Sequence, residues 1–176
     1  MAEIVASIVI HARNKALFKR EEIDINDIIK RELEFFALNP EFKYKIEKKI
    51  ELSDDLPRIP GNPIHIKQIV DNILKNAIDS MENSPEKCFH LETCVEDKAV
   101  LIRISDTGEG IEKENIDKIF SPDFTTKAIG KGTGLGLASV KTMVEAYSGD
   151  IRVQSKKGKG TTFVVKIPVA RPIPQN

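Results

Sequence analysis

The chain has little of what several large protein classes depend on. Its 176 residues contain no tryptophan and two cysteines, and the 27 basic residues are balanced by 27 acidic ones. Without an excess of positive charge, binding to nucleic acid or to an anionic membrane by charge alone is not expected. No apolar run approaches the roughly 20 residues that a membrane-crossing helix needs, and residues 1–19 lack a signal-peptide pattern. The sequence therefore predicts a cytoplasmic domain that contacts neither nucleic acid nor membrane.

The two cysteines do not form a recognisable metal site. Cys88 and Cys94 flank His90 in "CFHLETC", but a structural zinc site needs four ligands, and no second Cys/His pair follows. A disulfide is not expected in a reducing compartment. We interpret both cysteines as residues of a β-strand.

The length and the hydrophobic pattern predict one compact domain of mixed secondary structure. The clearest element is a helix over Pro63–Met81, with Asn62 as its cap and proline at its first position. We expect the helices to form one layer over a mixed sheet, a two-layer α/β sandwich. The expected layer contains the helices Asn26–Leu38, Pro63–Met81 and Gly136–Tyr147, and the expected sheet contains strands at Ile23, Ile46, Leu91, Ile102, Ile151 and Phe163.

A polar stripe runs along the central predicted helix. Asn72, Asn76 and Asp79 lie at positions i, i+4 and i+7, beside the apolar face. Asparagine prefers caps to helix interiors, so two asparagines within one helix require an explanation. A solvated face is one explanation, and a binding role is the other.

The predicted strand at Ile102 ends in a second polar feature, "DTGEGI". A carboxylate such as that of Asp106 can accept a hydrogen bond from the exocyclic amine of a purine. The glycines that follow, Gly108 and Gly110, would let a base approach the backbone next to Ile111. An ordinary Asp-Gly turn is the alternative.

The stretch "GKGTGLGLAS" places glycines on alternate residues from Gly130 to Gly136, directly before a predicted helix. Loop amides and the unpaired N–H groups of a helix N-terminus together form an anion site. Taken alone, the stretch is also compatible with a mobile linker.

Five segments together resemble the N, G1, F, G2 and G3 boxes of sensor histidine kinases, in order and spacing. They are "QIVDNILKNAIDSM", "DTGEGI", "IFSPDFTTK", "GKGTGLGLASV" and "GKGTTFVVKIP". Five ordered boxes are far more specific than any single one. Over about Glu21–Val169, the chain is similar to the ATP-binding domain of the gyrase, chaperone, histidine kinase and mismatch-repair superfamily, which implies a Bergerat-type ATP-binding fold.

The resemblance implies ATP and Mg²⁺ as ligands. Asn76 would coordinate Mg²⁺ on the phosphates with support from Asn72 and Asp79, and Asp106 would accept from the adenine amino group. Gly108, Gly110, Ile111 and Thr161 would surround the base. The segment Phe120–Gly134 is similar to a lid over the nucleotide, a role that suits so long a loop. The phosphate-facing residues would be Thr125, Thr126, Lys127, Gly130, Gly132, Thr133, Gly134, Leu135 and Gly136, with Asn72, Asn76 and Lys127 as the catalytic set.

One position favours phosphotransfer over hydrolysis. ATPases of the superfamily carry a glutamate four residues before the metal asparagine, placed to activate water. Here Asn72 stands at that position, and an amide cannot take the proton. A histidine acceptor is already nucleophilic when neutral, so positioning and charge neutralisation suffice. A true ATPase and a nucleotide-binding interaction module are the rival hypotheses.

Three residues depart from the family pattern. Asp123 stands where the lid often has phenylalanine, Asp79 where related kinases are often basic, and Tyr147 where histidine is common. The first puts the apolar packing of the open lid in doubt. The second makes the role of Asp79 the least secure, and the third is expected to have no chemical consequence.

The chain shows no phosphoacceptor histidine of the family type. His11 is followed by "ARNKA", without the acidic residue and the proline typical of that site, and we interpret it as a surface residue. We therefore predict that residues 1–20 are the end of a dimerisation helix or a linker, residues 21–170 the catalytic domain, and residues 171–176 a tail. The implied partners are a dimerisation hairpin of the same full-length kinase, which carries the histidine, and a response regulator.

Overall fold

The computed structural model describes residues 21–125 and 134–169, which contain seven strands, four α-helices and a short 3-10 turn. The helices are α1 (Ile25–Phe36), α2 (Pro40–Lys45), α3 (Pro63–Ser80) and α4 (Gly136–Ala146). The strands are β1 (Glu21–Ile23), β2 (Glu47–Leu52), β3 (Ile59–Gly61), β4 (Cys88–Glu96), β5 (Ala99–Asp106), β6 (Asp150–Lys156) and β7 (Gly160–Pro168), and the 3-10 turn is Lys113–Asn115.

Five of the strands form one mixed sheet in the order β2-β4-β5-β7-β6. The β2–β4 pair is parallel and the other pairs are antiparallel. Residues on β4 and β5 alternate between buried and half-buried positions along much of their length, as expected for strands that cover a helical layer with one face. The two-layer α/β sandwich is confirmed, with the helices on one face of the sheet.

Helix α3 is the centre of the helical layer, since it packs against α1, α4 and β5. Its buried side chains follow the apolar rhythm of the sequence, and each such burial stabilises the fold by roughly 1.5–3 kcal/mol. Asn62 caps the helix by accepting from the Ile64 N–H, and Pro63 occupies the first turn, as predicted. The buried α3 residues are Ile66, Ile69, Val70, Ile73, Leu74 and Ala77.

The strand at Ile23 does not join the main sheet, contrary to the sequence prediction. It pairs antiparallel with β3 in a separate two-stranded sheet, with Ile23 opposite Ile59. No strand was predicted for the stretch that forms β3. It is only three residues long and contains Pro60, too short a run to indicate a strand by itself, and the pairing with β1 makes it one.

A short helix precedes β2, and the strand predicted at Ile46 begins one residue later, at Glu47. Asn39 accepts from the Glu41 N–H at 2.8 Å and Pro40 sits at the first helical position, so this dipeptide starts α2. Lys48 donates to the carbonyls of Phe42, Lys43 and Ile46 at 2.6–3.1 Å. This C-terminal cap, provided by a side chain of the strand that follows, helps six residues to form a helix.

Helix α1 begins at Ile25, one residue before the predicted start at Asn26. Asp24 is its N-cap residue, and the side chain of Asp24 accepts from the Asp27 N–H at 3.0 Å. Asn26 instead donates to the Ser53 carbonyl and accepts from the Thr93 hydroxyl. It thereby ties α1 to the end of β2 and to β4.

The two cysteines are strand residues with free thiols, at the half-buried positions of β4. The His90 ring contacts Glu51 on the neighbouring strand at 2.7 Å. In the described parts of the chain, no three His, Cys, Asp or Glu side chains are grouped so as to hold a metal ion. The same parts contain no helix with the length and apolar character needed to span a bilayer.

Tyr147 joins the end of α4 to the start of α3. Its hydroxyl accepts from the Asn62 N–H at 2.9 Å and donates to the Asn62 carbonyl at 3.1 Å. A β-carbon on Gly61 would lie 2.4 Å from the Tyr147 ring, so the ring needs the glycine. The hydroxyl therefore has a structural role that the sequence did not indicate.

We expect Tyr147→Phe to lower the free energy of unfolding by about 1 kcal/mol, because both partners on Asn62 lose their hydrogen bond. Urea unfolding measures the change. The matched control is Tyr44→Phe, since Tyr44 is 76% exposed, and it should leave the midpoint unchanged. Equal stability of the two variants would contradict the structural role of the Tyr147 hydroxyl.

Candidate functional site

Asp106 ends β5 with its side chain buried inside the fold. The residue is 8% exposed, and its Oδ1 accepts hydrogen bonds from Ser80 Oγ at 2.9 Å and from the Gly108 N–H at 2.8 Å. Burial raises the pKa of Asp106, while hydrogen bonds from Gly108, Ser80 and Thr161 oppose the rise. A buried carboxyl held in this way can accept a hydrogen bond from an amino group of a ligand. The low dielectric of the protein interior strengthens that hydrogen bond.

Gly108 is required by its close packing against this carboxyl. A β-carbon on Gly108 would lie 2.1 Å from Ser80 Oγ and 2.7 Å from Asp106 Oδ1. No side chain fits there without moving the carboxyl. The glycine of the "DTGEGI" motif therefore gives Asp106 and Ser80 the space to meet.

Gly108→Ala should weaken nucleotide binding by at least tenfold, because the new methyl group displaces the Asp106 carboxyl from its donors. The measurement is a titration with the non-hydrolysable analogue AMPPNP in the presence of Mg²⁺. Gly158→Ala is the control, since a β-carbon there meets nothing within 4 Å. The positive φ of Gly158 means that this control can lower thermal stability, but it should leave affinity unchanged. Wild-type affinity in Gly108→Ala would contradict the packing argument.

The loop after Asp106 is fixed to the β6–β7 hairpin. Gly110 has a φ of +68°, and a β-carbon there would lie 2.2 Å from the Lys156 carbonyl oxygen. The Ile111 N–H donates to Ser155 Oγ at 2.8 Å, and that hydroxyl lies 2.9 Å from Thr161 Oγ1. Thr161 is opposite Asp106 in the β5–β7 register. The structure thus brings the predicted base-binding residues of β5, the loop and β7 together.

The polar stripe of α3 begins beside the start of α4, at Asn72. Asn72 and Asn76 are half-buried and Asp79 is exposed. A β-carbon on Gly136, the first residue of α4, would lie 3.2 Å from Asn72 Oδ1. The N-terminus of α4 therefore lies beside the amide of Asn72, which places a candidate anion site next to an oxygen donor.

The stripe provides the type of ligand that Mg²⁺ prefers. The amide oxygens of Asn72 and Asn76 and the carboxylate of Asp79 are all hard oxygen donors. Mg²⁺ is commonly held by one or two protein ligands together with the phosphates of a substrate. The donor set of α3 fits that arrangement.

The two ends of the predicted lid meet. A β-carbon on Gly134 would lie 2.7 Å from the Asp123 carbonyl carbon, and both residues have a positive φ. Phe120 and Phe124 pack against the core, and the Phe120 ring meets the Phe163 ring edge-on, with centroids 6.5 Å apart. Apolar packing at the start of the lid is therefore present despite Asp123.

The remaining predicted site residues of the lid divide into two groups. Thr125 is exposed, and Leu135 is 49% exposed just before α4. The other five lie outside the described residues, and nothing tests their assignment. They are Thr126, Lys127, Gly130, Gly132 and Thr133.

Sequence reasoning missed two residues of the site. Ser80 lies four residues after Asn76, so extending the polar stripe by one turn would have found it. Ser155 gives no comparable signal, because its contacts with Ile111 and Thr161 follow from strand register and from the path of a loop.

Comparisons with known proteins identify a family and several related proteins. The family described as histidine kinase-, DNA gyrase B- and HSP90-like ATPase matches residues 61–171. The sensor histidine kinase ZraS of Escherichia coli (strain K12) is 34% identical over 149 residues, which cover 85% of this chain. That alignment covers 31% of ZraS, so the chain spans about a third of the length of this relative.

Two solved structures have a similar fold. The catalytic domain of histidine kinase ThkA aligns with a TM-score of 0.72 and 29% identity, covering 86% of this chain and 96% of that one. Full-length ShkA in complex with AMPPNP aligns with a TM-score of 0.75 and 26% identity, covering 88% of this chain and 32% of that one.

Proposed function

Since the chain belongs to the family of histidine kinase-, DNA gyrase B- and HSP90-like ATPases, we propose that it binds ATP with Mg²⁺ and transfers the γ-phosphate to a histidine. The observation that carries this proposal is the placement of two sites along α3. Ser80 at its C-terminal end contacts the buried Asp106 carboxyl, and Asn72, two turns earlier, lies beside the start of α4. Eight residues of helix span about 12 Å, which suits a base at one end and phosphates at the other.

The base is bound by Asp106. Its carboxylate accepts from the exocyclic amino group of adenine, and Thr161 assists through its hydroxyl. Gly108 and Gly110 leave room for the ring beside the backbone, and Ile111 contacts the base. Burial of the carboxyl supports this role, because a hydrogen bond from a ligand to a buried carboxylate is stronger than the same bond in water.

The phosphates lie between α3 and α4. Asn76 is the proposed Mg²⁺ ligand, with Asn72 and Asp79 as supporting groups. When bound, Mg²⁺ neutralises charge on the β- and γ-phosphates during transfer. Gly134, Leu135 and Gly136 present backbone N–H groups at the start of α4, and the proposed lid residues, with Lys127 and Thr126 nearest the terminal phosphate, cover the nucleotide.

Phosphotransfer is favoured over hydrolysis by Asn72. An amide beside the start of α4 can orient phosphate but cannot take a proton from water. A neutral imidazole nitrogen needs no such base. The imidazole nitrogen forms a bond to the γ-phosphorus while the bond from that phosphorus to the bridging oxygen breaks. ADP leaves, and the proton on the other ring nitrogen passes to solvent.

The proposal extends to a longer protein. We infer that residues 21–170 form the catalytic unit, whereas the predicted dimerisation helix or linker of residues 1–20 and the predicted tail of residues 171–176 lie outside the described residues. The acceptor histidine belongs to a dimerisation hairpin of the same full-length kinase, and a cytoplasmic response regulator receives the phosphoryl group.

Label transfer tests the proposed reaction. The chain is incubated with γ-labelled ATP, Mg²⁺ and the histidine-bearing hairpin of its full-length kinase. We expect label on the hairpin that is lost in acid and retained in alkali, and no label on a hairpin whose acceptor histidine is replaced by alanine. Label that appears only as free phosphate would contradict the proposal.

A further inference from the structure

Ser80 faces two hydrogen-bond acceptors with a single hydroxyl proton. Its Oγ lies 2.9 Å from Asp106 Oδ1 and 2.8 Å from the Ala77 carbonyl oxygen one turn back on α3. A serine hydroxyl donates one hydrogen bond at a time. The direction of this O–H bond therefore depends on whether the Asp106 carboxyl needs a donor.

We propose that Ser80 is a positioning residue for nucleobase recognition, which holds Oδ1 of an ionised Asp106 so that Oδ2 accepts from the amino group of the base. This inference rests on the proposed binding of adenine by Asp106. The Gly108 N–H donates to the same oxygen at 2.8 Å. Two donors on one oxygen orient the plane of the carboxyl and turn its other oxygen toward the ligand.

The alternative direction of the Ser80 hydroxyl has a chemical consequence. If Asp106 is protonated, Ser80 can donate to the Ala77 carbonyl instead, and the carboxyl becomes a hydrogen-bond donor. A donor matches the carbonyl of hypoxanthine or guanine, whereas an ionised carboxylate matches the amino group of adenine. By donating to Oδ1, Ser80 stabilises the form that selects adenine.

The surroundings of Asp106 make this neutral donor important. Ser80, Gly108 and Thr161, which hydrogen-bond the carboxyl, are all uncharged, and burial acts against ionisation. The charged neighbours on the elements that meet Asp106 are exposed. They are Asp79 on α3, Glu109 in the loop, where it pairs with Lys157 at 3.3 Å, and Lys156 at the end of β6.

The test is Ser80→Ala, which removes the hydroxyl and adds no atom to a tightly packed place. AMPPNP and the corresponding inosine analogue are titrated into the full chain with Mg²⁺, from mildly acidic to neutral pH. We expect three- to tenfold weaker AMPPNP binding at neutral pH, and a midpoint of acid loss raised by roughly one pH unit. Preference for the adenine analogue over the inosine analogue should fall by a similar factor.

The matched control is Ser105→Ala. Ser105 is the strand neighbour of Asp106, and its hydroxyl lies 2.9 Å from Thr162 Oγ1 rather than from the carboxyl. This variant should keep wild-type affinity, pH midpoint and base preference. A merely structural role for Ser80 would change the melting temperature of Ser80→Ala without moving the pH midpoint.

Two outcomes separate this inference from the proposed function. If Ser80→Ala behaves as wild type in all three readouts while Asp106→Asn loses binding, the positioning role is wrong and the base site stands. If Asp106→Asn binds AMPPNP as well as wild type does, the base site itself is wrong, and the role of Ser80 falls with it.

Discussion

Asp106→Asn is expected to abolish detectable ATP binding by the intact chain, with affinity falling on the order of 100-fold or more. The amide keeps an oxygen that Ser80 and Gly108 can bond. The NH₂ group of the asparagine and the amino group of adenine are both donors, so they cannot hydrogen-bond each other and both are left without an acceptor in a buried site. Calorimetric titration with AMPPNP and Mg²⁺ measures the loss.

The stability of this variant distinguishes lost binding from lost folding. Because the pKa of Asp106 is raised in the folded state, the folded protein holds this proton more tightly than the unfolded chain does. The free energy of unfolding therefore falls as the pH rises from the ordinary pKa of aspartate to the raised pKa of Asp106. Above that raised pKa, the full loss of stability is present. The ligand-free Asp106→Asn variant should melt at least as high as wild type at neutral pH.

Asp97→Asn is the matched control for this substitution. Asp97 lies in the β4–β5 turn, at the opposite end of β5, with its side chain 79% exposed and 3.4 Å from Lys166. Asparagine tolerates the positive φ of that position. Binding should be unchanged. Retained ATP affinity in Asp106→Asn would overturn the assignment of the base site.

Asn76→Ala is expected to remove the Mg²⁺ dependence of the reaction while the fold is kept. Alanine is the better helix former, so α3 should remain intact. Binding of ATP in the presence of a chelator should change little, because Asp106 still holds the base. The rate of label transfer in Mg²⁺ should fall on the order of 100-fold. Transfer assays with and without Mg²⁺ measure both effects.

Asn83→Ala is the control for this variant, since Asn83 is exposed just beyond α3. Its Mg²⁺ response should equal that of wild type. If Asn76→Ala responds to Mg²⁺ as wild type does, Asn76 is not the metal ligand. Asn72 and Asp79 would then be the next groups to replace.

The fold and site were predictable where one element carries its own signal. The apolar rhythm of α3, its Asn62 cap and its polar stripe are all local features, and the structure confirms the helix and its buried face. The β4–β5 hairpin was equally clear, because both strands alternate and a polar turn joins them. Gly108 and Gly110 were predicted to let a base approach the backbone, and that stays a prediction; the structure shows that Gly108 packs against the Ser80 and Asp106 side chains and Gly110 against the Lys156 carbonyl.

The rest depended on contacts between residues distant in sequence. The short strand β3 exists because β1 pairs with it. The bond from Ser80 to Asp106 joins residues 26 positions apart, and that from Asn62 to Tyr147 joins residues 85 apart. No periodicity within a single element reports such contacts, so only the structure could show them.

The measurement that tests the central claim most directly is phosphate release from γ-labelled ATP by the purified chain with Mg²⁺, beside a binding titration with AMPPNP. The account predicts clear binding with negligible release, because Asn72 cannot activate water and the acceptor is a histidine supplied by another segment. Binding accompanied by rapid turnover would contradict it, since some other group would then activate water and the chain would act as a true ATPase.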